Sequence, residues 1–227
     1  MPLTEKQEGL VLRRIDYKDS QKILTLFTSE RGIISLIVKG ITRKNTHLLT
    51  LSSPLTHAEY LFRVHRSTLY TFQDGTLINS HLPLRQSLLH IESAIRIAQA
   101  LLTSQLPGKP APALYRLTLA YLKLTTQFTD PAPLTASFLL KLLKHEGILS
   151  LAPTCALCST SPTYLHQGEA FCQKHTPHSA THYTPEEWAT LTTLSETRQP
   201  IVLQQTKVPA PLFAKVVSLF HSFFSEM

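Results

Sequence analysis

Three cysteines and one histidine near the end of the 227-residue sequence have the types and the spacing of metal ligands. Cys155 and Cys158 form one pair, and Cys172 and His175 form a second pair after thirteen intervening residues. In each pair two residues separate the ligands, which is the spacing of a tight knuckle that directs both side chains at one ion. The sequence therefore predicts a tetrahedral site for one structural Zn²⁺ per chain.

These ligands lie in residues 150–183, a segment with little apolar periodicity. Such a segment cannot form a core of its own, so a bound metal would supply the free energy that orders it. We expect Gln167-Gly168-Glu169 to form a hairpin turn between the two knuckles. His175 has the best spacing for the fourth ligand, and nearby histidines are alternatives: His166, His178 and His182. Because protein side chains fill all four positions, we expect a closed structural site.

The cysteines have two other interpretations. They could be unrelated core residues, but the sequence has no cysteine outside this cluster. The C-x-x-C pair could be a redox motif, but no βαβ pattern of the thioredoxin type surrounds it. A metal site remains the favoured interpretation.

One enzymatic alternative uses the same cysteines. His90-Ile91-Glu92 resembles the H-x-E half of a zinc deaminase signature, which requires P-C-x-x-C as its second half. Here Pro153 is not adjacent to Cys155, and Cys172 and His175 would have no role. The sequence also has no phosphate-binding loop, H-E-x-x-H or G-x-S-x-G motif. We therefore predict a protein that is not an enzyme.

The residues before this region predict β-structure. Short runs rich in β-branched and aromatic residues, separated by turn-prone breaks, indicate five strands: Glu8–Ile15, Gln21–Thr28, Gly32–Lys39, Leu55–Val64 and Thr68–Asn79. The fourth run alternates cleanly, with Ala58, Tyr60, Phe62 and Val64 on one face. Five short strands suit a small closed barrel, because closure removes exposed edges. An SH3-like barrel fits the pattern nearly as well.

After Leu82-Pro83 the apolar period becomes helical. Arg85–Leu106 is predicted as a helix with a broad apolar stripe: Leu88, Leu89, Ile91, Ala94, Ile95, Ala98, Leu101 and Leu102. Further predicted helices are Pro112–Phe128, Leu134–Glu146 with Gly147 as its cap, one starting at the capping box Thr184–Glu187, and Ala210–Phe224. The pattern predicts an α+β protein with a barrel in 1–80 and a helical domain in 81–227, which includes the metal element 150–183.

The charge distribution points to a polyanionic partner. The formal net charge is +7, and residues 1–80 carry eleven Lys and Arg against seven Asp and Glu. Lys39, Arg43 and Lys44 cluster at a strand end and in the loop that follows, where they can reach phosphates. Of adjacent Arg13 and Arg14, one should face outward. The candidate DNA-binding residues are Lys39, Arg43, Lys44, Arg13, Arg14, Arg63 and Arg66.

Aromatic residues could add base stacking to this basic surface. The candidates are Tyr17, Tyr60, Phe62, Tyr70 and Phe72. For each of them the favoured alternative is a place in the barrel core, since aromatic rings are usually buried. For the basic loop the alternative is a solvated surface without a partner.

The sequence has no apolar run long enough to span a membrane and no signal peptide at its start. An odd number of cysteines is also unusual for a disulfide-bonded secreted protein. These features predict a cytoplasmic protein that does not bind membranes.

Several N-terminal residues resemble the signature of the bacterial RecO family, recombination mediator proteins of DNA repair. The matching residues are Gly9-Leu10-Val11-Leu12, Tyr17, Ser20, Ile23-Leu24, Phe27-Thr28, Glu30, Gly32 and Lys39-Gly40. The similarity continues to Gly147, Leu151 and the Cys155/Cys158 knuckle, so it spans most of the chain. The sequence departs from the family pattern where His175 replaces a Cys that is common in zinc-bearing relatives, and where Pro153 follows Leu151.

The resemblance implies an OB-fold barrel, followed by an α-helical domain with an inserted zinc-finger-like element. It implies binding of single- and double-stranded DNA, annealing of complementary strands, and help in loading recombinase onto protein-coated single strands. It also implies a nucleoid-associated protein in the bacterial cytosol, with RecR and the C-terminal tail of single-stranded DNA-binding protein as partners. The alternative is a zinc-containing protein-interaction adaptor without direct DNA annealing.

Overall fold

In the computed structural model, which describes residues 3–224, a closed barrel forms the N-terminal part of the chain. Its strands are β1 (Thr4–Lys18), β2 (Gln21–Thr28), β3 (Gly32–Val38), β4 (His57–Arg63) and β5 (Leu69–Asn79). The strand order is β1-β2-β3-β5-β4, and β4 closes the barrel on β1. Strands β3 and β5 are parallel, and the other neighbours are antiparallel. This is the Greek-key order of an OB-fold, so the SH3-like alternative is wrong.

The interior of the barrel follows from the alternation of its strands. Ala58, Tyr60 and Phe62 are fully buried, as the pattern in β4 predicts, whereas Val64 is only partly buried. Residues at alternate positions of β2 and β3 complete the core: Leu24, Leu26, Ile34, Leu36 and Val38. All five predicted strands are confirmed, and β1 begins four residues earlier than predicted.

The segment 40–53, predicted as a polar break, contains a short helix, α1 (Thr46–Leu51). The side chain of Asn45 caps it by accepting from the Leu48 amide at 3.1 Å. Leu51 is buried in the barrel core, and the Tyr60 hydroxyl donates to its carbonyl at 2.8 Å. Six residues are too few to show a helical period in sequence, and the cap and the core contact determine the conformation instead.

Two longer helices follow a 3-10 turn at Leu82–Gln86 and belong with the barrel: α2 (Leu88–Ser104) and α3 (Pro112–Thr125). The stripe predicted for α2 is partly wrong. Ala94, Ala98 and Leu101 are buried, but Leu88, Leu89 and Ile95 are exposed. The predicted stripe covered most of the circumference of the helix, and only the arc centred on Ala94 and Leu101 contacts the rest of the unit.

Contacts divide the described residues into two compact units, one up to Gln127 and the other from Phe128. The boundary predicted after residue 80 stays a prediction. The second unit contains α4 (Ala132–His145), α5 (Pro185–Glu196), α6 (Pro200–Gln205) and α7 (Ala210–Phe224). Helix α4 is its centre, with most side chains buried, and it contacts the other three helices. No helix within residues 3–224 is long and apolar enough to cross a bilayer.

Both helix-end predictions in the second unit are confirmed. Thr184 and Glu187 form the reciprocal capping box of α5. After α4, Gly147 has a φ of +72°, and its amide donates to the Lys144 carbonyl at 3.1 Å. The Ile148 amide donates to the Leu143 carbonyl at 2.9 Å, which completes a Schellman motif. This motif turns the chain from α4 into the cysteine-containing segment.

A candidate metal centre and a basic end of the barrel

A small three-stranded sheet positions the cysteines. It contains β6 (Tyr164–His166), β7 (Glu169–Phe171) and β8 (Thr181–His182), in the order β7-β6-β8. Gln167 and Gly168 have φ values of +47° and +82°, as a type I′ turn requires, so the predicted hairpin turn is confirmed. Because Cys172 directly follows β7 and Cys155 precedes the hairpin, the sheet brings the two knuckles face to face.

The four ligand atoms converge. Each of the four residues Cys155, Cys158, Cys172 and His175 offers one ligand atom, a cysteine sulfur or a ring nitrogen of the histidine. These four atoms all lie within 4.8 Å of one another. Nδ1 of His175 is 3.6 Å from Cys155 Sγ and 3.5 Å from Cys172 Sγ, and Cys158 Sγ is 3.7 Å from Cys172 Sγ. Zinc at about 2.3 Å from sulfur and about 2.0–2.1 Å from nitrogen defines a tetrahedron with edges of about 3.5–3.8 Å. The donor set therefore fits one tetrahedral metal ion.

The surroundings of Cys155 and Cys158 lower the pKa of these two thiols and favour the deprotonated form that a metal requires, whereas burial raises the pKa of the Cys172 thiol. Burial raises the pKa of the Cys155 thiol, but hydrogen bonds from the Leu157 amide, Cys172 and His175 outweigh burial and lower this pKa to about 6. The Leu157 amide lies 3.4 Å from Cys155 Sγ. Contact with Cys155 raises the pKa of the His175 imidazole. The Cys155 sulfur can therefore carry a negative charge beside a His175 ring that is protonated or bound to a metal.

The alternative fourth ligands lie outside this cluster. Nδ1 of His166 is 3.2 Å from Ser179 Oγ, and the His182 ring lies 4.9 Å from the ring of Tyr164. His178 is exposed. The pair His90 and Glu92, from the deaminase alternative, lies on α2 and is not part of the cluster either.

A second candidate site is the end of the barrel at which β1 meets β2. Lys39, Arg43 and Lys44 follow β3 and are all exposed. Lys22 at the start of β2 pairs with Val38 at the end of β3. The Ile41 amide donates to the Ser20 carbonyl at 3.0 Å, which holds the loop after β3 against the β1–β2 turn. We call this surface the basic end, and it contains Arg13, Arg14, Lys18, Lys22, Lys39, Arg43 and Lys44.

Arg13 and Arg14 lie on the same hairpin. One was predicted to face outward, and both are exposed. The register of β1 against β2 shifts between Val11 and Arg13, so Leu12 forms a bulge. Beyond it β1 pairs only with β2, because its pairing with β4 ends at Leu10. Residues 13–18 of β1 are therefore exposed, whereas Leu24 on β2, opposite Arg14, remains in the barrel core.

Arg63 and Arg66 lie at the opposite end of the barrel. Arg63 pairs with Thr4 at the start of β1, and Arg66 is in the exposed β4–β5 loop. The nearby Arg31 makes a two-pronged ion pair with Glu5. The structure therefore separates the seven predicted cations into five at the basic end and two at the far end.

Ion pairing distinguishes these cations from others in the barrel. Lys6 pairs with Glu59 at 2.6 Å, and Lys22 pairs with Asp16 at 2.7 Å. Among the described residues, no such pair involves any of the seven predicted cations: Arg13, Arg14, Lys39, Arg43, Lys44, Arg63 and Arg66. A hydrogen bond and the charge of Lys22, with a smaller effect of Arg14, lower the pKa of the Asp16 carboxyl.

The aromatic candidates for base stacking also fall into two groups, one buried in the barrel and one exposed. Tyr60 and Phe62 are core residues, and Tyr70 and Phe72 are partly buried against that core. Tyr17 is 49% exposed on the hairpin, and Lys18 Nζ lies 5.4 Å from the centroid of its ring. Lys18 and Lys22 were not among the residues predicted for the site, although their position beside the β1–β2 turn could have indicated them.

An OB-fold barrel with an exposed basic end, followed by helices and a cluster of three cysteines and one histidine that could hold a metal ion, defines the class of this protein. Residues 1–81 match the family model described as "Recombination protein O N terminal", and residues 85–226 match "Recombination protein O C terminal". The chain therefore belongs to the RecO family.

Relatives from two bacterial groups agree with this assignment. The chain is 31% identical over 223 residues to the DNA repair protein RecO of Chlamydia pneumoniae, covering 96% of this chain and 88% of the relative. It is 27% identical to that of Chlamydia muridarum, covering 96% and 95%. The RecO of Bacillus subtilis is 32% identical over 161 residues, covering 71% of this chain and 63% of the relative.

Proposed function

We propose that this chain is a recombination mediator in DNA repair that binds single- and double-stranded DNA and anneals complementary strands. It would also help to load recombinase onto protein-coated single strands, together with RecR and the tail of single-stranded DNA-binding protein. The activity requires no covalent chemistry by the chain itself. Family membership supports the repair role, and the basic end of the barrel supports the contact with DNA.

The observation that carries the proposal is the absence of ion pairs at Lys39, Arg43, Lys44, Arg13 and Arg14 within the described residues. A cation that is already paired with a carboxylate gains little from a phosphate, whereas an exposed cation without such a pair can neutralise one. Neutralisation releases counterions from the DNA, which drives binding. It also lowers the repulsion between two strands, which is the barrier that annealing must overcome.

We further propose that the metal of the Cys155–His175 centre is zinc. Three thiolates and one imidazole form a soft donor set that selects zinc over magnesium or calcium. With all four positions taken by protein, the ion would serve the fold and leave no position for a substrate. The chain's own residues hold the two knuckles in place, through the β6–β7 hairpin and the amide of Leu157.

The experiment compares two triple variants of equal charge in DNA-binding and annealing assays. Lys39→Gln/Arg43→Gln/Lys44→Gln removes three cations from the basic end. The control, Lys123→Gln/Arg198→Gln/Lys207→Gln, removes three exposed cations from helices and loops elsewhere. We expect the first variant to bind single strands more weakly. The slope of the logarithm of its binding constant against the logarithm of the salt concentration should also be shallower, by about 0.7 for each phosphate that the variant no longer neutralises.

We also expect annealing of complementary fluorescent strands to slow in the first variant and to stay near wild type in the control. If both variants bind and anneal like wild type, the basic end is not the DNA-binding surface. If the wild-type chain does not bind or anneal DNA at low salt, the proposed function itself is wrong.

One observation favours the adaptor alternative. The second unit has an apolar groove of about 660 Å³ whose lining includes Leu151, Pro153, Pro162 and Trp188. A groove of this kind suits an apolar side chain of a partner protein. Titration with a long single strand and, separately, with an acidic peptide that ends in Phe distinguishes the two functions. Binding of the peptide without binding of DNA would favour the adaptor.

A further inference from the structure

Tyr17 occupies a β-bulge in the β1–β2 hairpin of the basic end. Asp16 pairs with Lys22 and Lys18 pairs with Gln21, so two steps along β1 correspond to one step along β2. Tyr17 is therefore the extra residue, and the described ladder gives it no partner on β2. Bulges at the rim of a barrel often redirect a side chain at a binding site, because they interrupt the regular alternation of faces.

The ring of Tyr17 is open to a ligand, unlike the rings of the other four aromatic candidates. Tyr70 stacks on Phe62 with the two ring planes 4° apart, and Tyr60 contacts Phe72 edge to face. These four rings belong to the barrel core or pack against it. Among the described residues no aromatic ring lies against Tyr17, which is 49% exposed. Half of an aromatic side chain is thus available for stacking.

This ring lies among the cations of the basic end. The Nζ atom of Lys18 is 5.4 Å from the centroid of the Tyr17 ring. Asp16, which precedes the ring in sequence, already pairs with Lys22 at 2.7 Å, so its carboxylate is neutralised. Proteins with OB-fold barrels hold single strands by combining cations that bind the phosphates with aromatic rings on which the bases stack. The hairpin supplies both groups at one place.

We propose that Tyr17 stacks on an unpaired base of bound DNA and thereby makes the chain prefer single strands to duplex. The inference rests on the proposed function, since the cations of the basic end must first hold the phosphates. Those cations can contact phosphates of either form. A base inside a duplex is already stacked on both faces, so only a single strand offers a base to the Tyr17 ring. When two strands anneal, this base returns to the duplex stack, and the chain holds the product less tightly than the separate strands.

The affinities of the full-length chain for a single strand and for a duplex of the same length test this role. Tyr17→Ala should raise the dissociation constant for the single strand at least about fivefold relative to that for the duplex, the equivalent of one lost base stack. Tyr17→Phe keeps the ring and should bind like wild type. Ile15→Ala shortens another exposed apolar side chain of the same hairpin and, as the matched control, should leave the ratio of the two constants unchanged. Circular dichroism and thermal unfolding verify that all three variants fold.

A strand without bases separates stacking from phosphate contacts. An abasic oligonucleotide of the same length presents the same phosphates, so wild type and Tyr17→Ala should bind it equally well. If Tyr17→Ala loses as much affinity for the abasic strand as for the normal strand, or if it keeps the wild-type ratio of single-strand to duplex affinity, this inference is overturned while the proposed function stands. A wild-type chain that binds no DNA at low salt overturns both.

Discussion

The amide of Ile41 donates a hydrogen bond to the carbonyl of Ser20 at 3.0 Å, which joins the loop after β3 to the β1–β2 turn. The Ile41 side chain is buried in the barrel core, so the loop is held from both sides. Cations that lie more than twenty positions apart in sequence, such as Arg14 and Lys39, thereby meet at one end of the barrel. If this end of the barrel binds DNA as proposed, we expect both groups to contact the same phosphate backbone.

The first prediction concerns the two ends of the barrel. Arg13→Gln/Arg14→Gln removes two cations from the basic end, and Arg63→Gln/Arg66→Gln removes two from the far end. We expect Arg13→Gln/Arg14→Gln to weaken the binding of single strands more strongly, because Lys39 and Arg43 lie at the same end of the barrel and would contact the same DNA strand. Fluorescence anisotropy at several salt concentrations measures both effects. A larger effect of Arg63→Gln/Arg66→Gln would place the DNA at the opposite end.

The second prediction concerns the metal. Purified protein should contain one zinc per chain by elemental analysis, and Cys158→Ser should lose most of it, because a hydroxyl replaces a thiolate ligand. We expect this variant to unfold at a lower temperature, since metal binding supplies folding free energy to residues 150–183. His166→Ala, which changes a histidine outside the cluster, is the control. A metal content well below one zinc in the wild-type chain would contradict the predicted site.

The third prediction compares two glycines with positive φ. A Cβ at Gly168 would lie 1.9 Å from the carbonyl oxygen of Ile148, whereas a Cβ at Gly147 has no atom within 4 Å. Gly147→Ala should therefore lower the free energy of unfolding by only about 1–2 kcal/mol, the cost of a left-handed conformation. Gly168→Ala also displaces the backbone that joins α4 to the metal segment, so it should cost more than about 3 kcal/mol.

Urea unfolding monitored by the fluorescence of Trp188, which lies in the same unit, measures both variants. Equal losses of stability in Gly147→Ala and Gly168→Ala would show that the close approach to Ile148 does not exist in solution.

The fourth prediction concerns the acid stability of the barrel unit. Burial lowers the pKa of His57 below its usual 6.5, although Glu8, 3.3 Å away, opposes the shift in part. Burial also lowers the pKa of His81, whose Nδ1 lies 2.9 Å from the Leu55 carbonyl. Below pH 6.5 the unfolded chain binds protons that the folded chain does not, so stability should fall as the pH decreases from that value.

Hydrogen exchange of the barrel strands at about pH 7.5 and about pH 5.5 measures this dependence once intrinsic exchange rates are taken into account. His57→Gln removes one of the two titrating groups and should flatten the dependence. His47→Gln, an exposed histidine on α1, should leave it unchanged. A pH dependence that is identical in wild type and His57→Gln would assign the effect to other groups.

Local patterns predicted most of the elements, because their causes lie within a few residues. The alternation in β4, the capping box at Thr184 and the glycine after α4 each specify a local conformation independently of the rest of the chain. The metal ligands were predicted for the same reason, since the spacing within each pair is set by the geometry of one turn. Short helices such as α1 and α6 were missed, because their few residues show no period.

The sequence by itself determined the strands, the helix ends and the four residues that cluster as the candidate metal site, since these depend on contacts between near neighbours or on ligand chemistry. Only the tertiary structure decided which cations share a surface and which apolar side chains of α2 stay exposed. Both depend on strand register and on the choice of one helix face for the core. Register and contact face arise from residues far apart in the chain, and no local pattern records them.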